Sequence, residues 1–518
     1  VILGVCVLAC AAAAPRMRVL PPLLLLACGV LAGFVPALRS VKLPPEAVLL
    51  LFLPALLYWE SLTTSLREIR NNLRVIVMMS TALVVGTAAA VAAVAHTLGL
   101  PWGPAWVLGA AVAPTDATAV GVIARMLPRR TVTVLRAESL VNDGTALVIY
   151  GLAVGITVGQ EHLSIGHVTW MFLLAYAGGA VAGLVTARLA VFVRRHLHDS
   201  FQENVVSVLT PFAAFLLAAT IHASGVLAVV VCGLTLSQVG PRLVRAETRQ
   251  QAQAFWGLSS YLLNGALFVL VGLQAQASVR ALRTMSIPRA LAAVAMIAGV
   301  VIGCRVVWSF TVPYLLRAVD RRPAQRLRRV GARARMVSVV AGFRGAVSLA
   351  AALAVPETVH SGQPFPDRDV IVFVTSGVIV VTMLQALLLP AVVRWARLPE
   401  DGGVAEERRL AETAASEEAL AALPEIAARL GTSEKVIDRT RHEYEKHLRL
   451  LATDGADVEP VRRAYDDHSA LRLELIAHKR ATVVRLRDER RIDDTVLRQI
   501  QARLDIEEIR LSGPQTVE

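Results

Sequence analysis

Residues 132–158 read VTVLRAESLVNDGTALVIYGLAVGITV. A bilayer's hydrocarbon core needs roughly 20 apolar residues of α-helix, and this run is long enough to cross it. Yet Glu138, Asn142 and Asp143 lie in its middle. An ionisable group at membrane depth is costly and by default marks a functional site. Ser139 and Asp143 are four residues apart and share one helix face, while Glu138 and Asn142 share the neighbouring one. One face therefore offers a hydroxyl and a carboxylate; the next offers a carboxylate that needs a partner. The plainer alternative is a polar cluster that glues helices together.

The apolar texture continues on both sides. Of 518 residues, 55% are hydrophobic and 18% charged, with a mean hydropathy of +0.56. Such values exclude a disordered chain and argue against an ordinary soluble enzyme. Thirteen runs suit membrane helices, at approximately 1–14, 20–37, 44–62, 73–97, 105–126, 132–158, 167–194, 203–223, 225–240, 250–275, 287–316, 335–356 and 369–396. The first lacks a basic leader and a second follows at once, so it reads as a helix rather than a signal peptide, with residues ahead of Val1 left open.

The net charge of +13 is unevenly placed. Up to residue 400 there are 33 basic and 15 acidic residues, a net of +18; from 401 onward 20 and 25, a net of −5. The pI near 10.2 could suggest a nucleic-acid partner. The basic residues, however, sit between spans, so they report orientation and no nucleic acid is expected. Loops after odd-numbered spans carry Arg16 and Arg18, Arg67, Arg70 and Arg74, Arg129 and Arg130, Arg194 and Arg195, then Arg242, Arg245 and Arg249. The loop from Arg317 to Arg335 is the most basic. This asymmetry predicts an N-terminus outside and a C-terminus in the cytoplasm. Residues 1–398 form the expected transmembrane domain. Residues 399–518, charged and helix-forming over 405–430, 433–451 and 462–509, form an expected helical cytoplasmic tail, either an oligomerisation element or a regulator.

Few ionisable groups lie well inside the spans: Glu60, Asp116, Glu138, Asp143, Arg305 and Arg344. Asp116 sits in Ala113-Pro114-Thr115-Asp116. Pro114 removes a backbone hydrogen bond, and the residue before a proline is pushed towards extended backbone. Carbonyls near 110–115 are then freed at membrane depth, where protein, water or a ligand must satisfy them. A freed carbonyl beside a carboxylate suits a small cation; a simple proline kink is the alternative. Arg344 lies in Gly342-Phe343-Arg344-Gly345 and Arg305 in Gly303-Cys304-Arg305. Buried arginines are expected to be paired and structural. Divided as six, one and six, the spans make the Pro-broken fifth correspond to the Gly-interrupted twelfth. Paired broken helices in two inverted halves point to a transporter's midplane site. The fold class is thus an all-α polytopic membrane protein of about thirteen helices, in two inverted six-helix repeats with crossed broken helices.

The chain resembles the sodium/proton exchangers of the first monovalent cation:proton antiporter family, in their bacterial branch. The matching motifs are the Pro-Thr-Asp at 114–116, the Glu-Ser-Leu-x-Asn-Asp at 138–143 and the Phe-Arg-Gly-Ala at 343–346. The segment 53–57 leading to Glu60, and the tail's acidic stretches at 491–494 and 504–508, also resemble the family. The resemblance implies that Asp143 binds either cation or proton, with Asp116, Ser139 and the Thr115 backbone completing a Na⁺ site. It implies that Glu138 pairs with Arg305, that Asn142 holds the neighbouring broken helix, and that Arg344 neutralises the helix crossing. Glu60 matches an accessory acidic ligand of some members. A homodimer is implied too. Charge-moving relatives carry two acids where this chain has Asn142-Asp143, so the single acid implies electroneutral 1:1 exchange of Na⁺ or Li⁺ for H⁺.

Potassium/proton exchange is the alternative within transport, a cation channel one outside it, and an intramembrane aspartyl protease built on Asp116 and Asp143 a third. No enzyme activity and no cofactor are expected. The five cysteines lack metal or redox spacing and read as small buried hydrophobes. His96 and His222 sit near span ends as packing residues, and the tryptophans fall mostly near predicted interfaces.

Overall fold

The computed structural model describes residues 2–17, 19–36, 48–116, 127–159, 165–319, 331–398, 402–452, 459–489, 491 and 493–512. Two compact units emerge, Val1–Glu400 and Asp401–Glu518. Both are α-helical, and among the described residues β-pairing is limited to isolated bridges.

In the first unit the order is α1 (Ile2–Met17), α2 (Pro21–Ala32), α3 (Leu53–Thr63), α4 (Leu66–Val77), α5 (Val84–Thr97), α6 (Trp102–Val112), α7 (Arg129–Val158), α8 (Ile165–Leu173) and α9 (Gly179–His196). It continues with α10 (Ser200–Thr220), α11 (Gly225–Leu243), α12 (Ala246–Ala281), α13 (Ile287–Val319), α14 (Ala332–Val340), α15 (Ala346–Leu353), α16 (Arg368–Leu384) and α17 (Leu389–Ala396). Among the described residues, eight continuous helical stretches are long and apolar enough to cross a membrane: 66–97, 129–158, 169–196, 200–220, 225–243, 246–281, 287–314 and 368–396. Shorter apolar helices cover 3–17, 21–32, 50–63 and 102–112. The protein is a multi-pass, all-α membrane protein.

Helix starts follow local chemistry. The Asp199 carboxylate accepts the N–H groups of Phe201 and Gln202 at the head of α10. Ser224 Oγ accepts Leu227 N–H at the head of α11. Each satisfies a donor that the first turn leaves open. Among the described residues, three stretches are π-helical: Val48–Phe52 before α3, Met78–Leu83 between α4 and α5, and Leu174–Gly178 between α8 and α9. Such wide turns shift the carbonyl ladder and are frequent at functional sites.

Two groups of helices flank the middle of α7, and a third core joins α12 and α16 with α1, α2, α14, α15 and α17 through Val7, Leu26, Phe268, Val337, Leu349, Ile379 and Leu389. The first joins α5, α6, α13 and α16 through Val91, Ala92, Val107, Leu108, Ile297, Val301, Ile371 and Val374. The second joins α3, α9, α10, α11 and α12 through Tyr58, Ala187, Ala214, Ala218, Val229 and Trp256. Between membrane helices small residues allow close backbone approach, and van der Waals contact holds them. Helix α7 belongs to both groups, contributing Ala153 to one core and Leu140 to the other. Its polar middle therefore stands where the two groups meet. Near one span end, His96 stacks on Trp102 with centroids 4.2 Å apart and its Nδ1 lies 2.9 Å from the Leu100 carbonyl. All five cysteines are free thiols.

In the second unit α18 (Gly402–Leu430), α19 (Glu434–Ala452), α20 (Glu459–Asp488) and α21 (Asp494–Ser512) are continuous. The helical stretch expected over 462–509 is in fact two helices. Asp493 caps the second by accepting Thr495 N–H at 2.8 Å. Helices α20 and α21 fold back on each other over buried Ile476, Leu497 and Leu504. Arg480 pairs with Asp505 and Glu508, and Arg472 with Glu507.

Candidate ion-binding site

Helix α6 runs into Ala113-Pro114-Thr115 and stops. The expected extended backbone before the proline is absent: Ala113 keeps φ −68°, ψ −43° and its N–H still bonds the Gly109 carbonyl. A completed last turn outweighs the steric bias against α backbone before proline. The break instead falls after it, at Pro114 and Thr115. Asp116 N–H then donates to the Phe343 carbonyl at 2.9 Å, an isolated antiparallel bridge. Residues 117–126, the rest of the expected fifth span, lie outside the described residues.

Phe343 belongs to the second break, between α14 and α15. Two glycines make the crossing possible. A Cβ on Gly345 would lie 1.7 Å from Asp116 Oδ2, and one on Gly342 would lie 2.5 Å from Arg305 Cδ. Gly345 is the N-cap of α15, so the Asp116 carboxylate sits beside that helix's positive end. Arg344, 2% exposed, performs the opposite task. Its Nε donates to the Val112 carbonyl at 3.0 Å and its Nη1 to the Gly342 carbonyl at 2.5 Å, while its backbone N–H reaches Thr382 Oγ1 at 3.2 Å. A cation thereby covers the negative end of α6, whose last carbonyls have no helical partner.

Helix α7 lies against both breaks. Glu138 is buried and grips Arg305 with both oxygens, Nη1 to Oε1 at 2.5 Å and Nη2 to Oε2 at 3.1 Å. Arg305 Nε also donates to the Ser338 carbonyl at 2.9 Å. Thr115 Oγ1 donates to Glu138 Oε1 at 3.3 Å and accepts from Asn142 Nδ2 at 2.7 Å. Asn142 Nδ2 also approaches the Thr115 carbonyl at 3.4 Å. One continuous network thus runs from α13 through α7 to the first break. A cavity of about 10 Å³ lies beside it, lined in part by Thr87, Thr115, Glu138, Asn142, Arg305 and Arg344. That volume is about one water. The Asn142 Oδ1 atom is buried without a hydrogen-bond partner.

On the adjacent face Ser139 and Asp143 are buried at 6% and 5% exposure. Asp143 has Asp116 and Glu60 as its electrostatic neighbours. Glu60, half-buried on α3, feels Asp116 and also Arg136. Asp143, Asp116 and Glu60, on three elements, therefore lie within electrostatic reach of one another. Pro114, Thr115, Asn142, Glu138, Arg305 and Arg344 form the supporting crossing. Among the described residues no group of three or more His, Cys, Asp or Glu side chains is arranged to hold a metal ion. Any cation here would need hydroxyl and carbonyl oxygens besides carboxylates.

Three residues escaped the reading of the sequence. Arg136 was legible in hindsight, because 136, 139 and 143 recur on one helix face. Thr145 and Tyr176 carried no signal. Thr145 Oγ1 donates to the Ser80 carbonyl at 2.7 Å, and Tyr176 Oη meets the same hydroxyl.

A family profile described as "Sodium/hydrogen exchanger, transmembrane" matches residues 2–395. The chain belongs to the sodium/hydrogen exchanger family. The exchanger is 47% identical over 508 residues to an uncharacterised Na(+)/H(+) exchanger of Mycobacterium tuberculosis, covering 97% of this chain and 94% of that one. It is 28% identical over 518 residues to the uncharacterised Na(+)/H(+) exchanger YjcE of Escherichia coli, covering 94% of each. Among solved structures it resembles the sodium proton antiporter MjNhaP1 of Methanocaldococcus jannaschii, with TM-score 0.58 and 18% identity over 77% of this chain and 98% of that one. That likeness concerns the fold alone. Cation/proton antiport is a transporter's activity, not an enzyme's.

Proposed function

We propose that the exchanger trades Na⁺ or Li⁺ for H⁺ by competition of cation and proton for Asp143. The observation that carries this is a buried Asp143 on α7, one turn from buried Ser139 and within electrostatic reach of Asp116 at the Pro114 break. Asp143, Asp116, Ser139 and the Thr115 carbonyl are the proposed Na⁺ ligands, a hard oxygen set suited to a small cation. Glu60 is an accessory acid. The neighbour of Asp143 is the neutral Asn142, already engaged with Thr115. One carboxylate exchanging one proton for one monovalent cation moves no net charge, so exchange is electroneutral and 1:1.

Alternating access follows from movement of the broken-helix bundle against the remaining helices, with residues 1–398 as two inverted repeats. The basic loops favour an N-terminus outside and residues 399–518 in the cytoplasm of a bacterial cell, and the proposed form is a homodimer in the plasma membrane. A second reading, K⁺/H⁺ exchange, is favoured by a Bacillus subtilis relative named "Sodium, potassium, lithium and rubidium/H(+) antiporter", 29% identical over 394 residues covering 71% of this chain and 57% of that one. Exchange in proteoliposomes against Na⁺, Li⁺ and K⁺ over a pH series separates the two. Proton movement driven by Na⁺ and Li⁺ but not K⁺ supports the first reading; equal drive by K⁺ supports the second.

A further inference from the structure

The π-helical turn at Leu174–Gly178 is where one long helix changes partners. Before it, Phe172 packs against the small core that Val84, Ala113, Ala146 and Ile149 form between α5, the end of α6 and α7. After it, α9 lies on α10 and α11. There the contact is intimate: a Cβ on Gly183 would lie 2.4 Å from the Ala228 carbonyl oxygen. Within the turn, the Ala175 carbonyl accepts Ser224 N–H at 3.1 Å, tying it to the head of α11. The Tyr176 hydroxyl meets Thr145, two residues beyond Asp143 on α7.

The direction of that bond follows from proton counting. A threonine hydroxyl has one proton. Thr145 donates it to the Ser80 carbonyl at 2.7 Å, a shorter contact than the 3.5 Å to the Val141 carbonyl. Its lone pairs then accept the phenol of Tyr176. Ser80 lies in the second π-helical turn, Met78–Leu83. The chain Tyr176 hydroxyl, Thr145 hydroxyl, Ser80 carbonyl therefore joins two π-turns through the helix that carries Asp143.

We propose that Tyr176 is a positioning residue for exchange, a latch that ties α7 to the α9–α11 group in one of the two access states. The inference rests on the alternating movement argued above. If the side of the bundle that holds the Pro114 break moves past the α9–α11 side, one tie of the turn must part. The Ser224–Ala175 tie is backbone to backbone inside a group already in close contact, so the single hydroxyl bond to Thr145 is the one that breaks and reforms. A hydrogen bond of ordinary net strength biases such an equilibrium by about 2- to 12-fold.

The test uses the full-length protein in oriented membrane vesicles, with Na⁺ presented at either face. Tyr176→Phe keeps the ring beside Phe172, and Thr145→Val keeps the shape of threonine. Each should shift the apparent Na⁺ affinities at the two faces in opposite directions by about 2- to 12-fold. The double variant should shift them no further than the larger single, and Thr145→Ser should restore both faces. A uniform loss of rate without that split, or additive effects, overturns the latch. A wild type that exchanges no cation for protons refutes the transport reading instead. Amide hydrogen exchange then decides the latch alone: faster exchange at residues 174–178 in Tyr176→Phe supports it, and unchanged exchange overturns it.

Discussion

Glu138 and Arg305 form a bidentate ion pair at 1% and 2% exposure. Removing one partner leaves a charge stranded in a low-dielectric interior, at a cost of about 3–5 kcal/mol. Glu138→Gln should therefore lower the unfolding temperature in detergent and the yield of folded protein. Exchanging the charges, Glu138→Arg with Arg305→Glu, should recover part of that loss. Full recovery is not expected, because the exchanged pair has no donor for the Ser338 carbonyl and no acceptor for Thr115. Thermal denaturation of the two singles and the double checks this; a double no better than the worse single contradicts the pair. The acids and arginines of the site were legible because charges inside apolar runs are so few. Thr145 and Tyr176 were not, since a buried hydroxyl looks alike in sequence whether it bonds its own helix or another.

At the scale of elements, the broken helices depend on the absence of side chains. Gly345→Ala would drive a methyl group to 1.7 Å from Asp116 Oδ2. Relieving it means moving Asp116 or α15, an overpacking cost of about 1–3 kcal/mol. Exchange should fall sharply in Gly345→Ala while a substitution at Gly303, whose Cβ meets nothing within 4 Å, leaves it unchanged. Proteoliposome exchange rates decide. The position of both breaks was readable from Pro114 and the two glycines. Their detail was not, because Ala113 follows its own last helical turn rather than the proline after it.

The tail offers a pH test. Hydrogen bonds from Thr495 hold Asp493 below the usual carboxylate range, and Arg472 does the same for Glu507. Groups depressed in the folded state add stability above their unfolded values and lose it as pH falls through the folded ones. The α20–α21 hairpin should thus hold its geometry from neutral pH downward and loosen only below about pH 4. Spin labels at 474 and 510 in the full chain would report the separation; no broadening down to pH 3 contradicts the prediction. The end of α20 at Asp488 and the start of α21 at Asp494 were missed because helix propensity is high on both sides, and only the pairing of the two apolar faces reveals them.

At the scale of the molecule, the two groups of helices meet at α7, and the crossing of broken helices supports its polar face. The apolar runs and their basic loops announced a polytopic membrane protein, and the family match agrees. Which helices share a core was not visible, because Ala, Val and Leu facing lipid and facing another helix are the same residues. A single exchanging carboxylate predicts that transport is indifferent to voltage. With the membrane potential clamped at zero or strongly negative inside, Na⁺-driven proton movement should proceed at the same rate; marked acceleration by voltage contradicts 1:1 exchange.

The most direct measurement is Na⁺-driven proton movement in proteoliposomes holding Asp143→Asn. Asparagine keeps the size of the side chain but cannot give up a proton and take a cation. A folded protein with no coupled exchange is expected at any pH where wild type is active. Coupled exchange retained in that variant would contradict it.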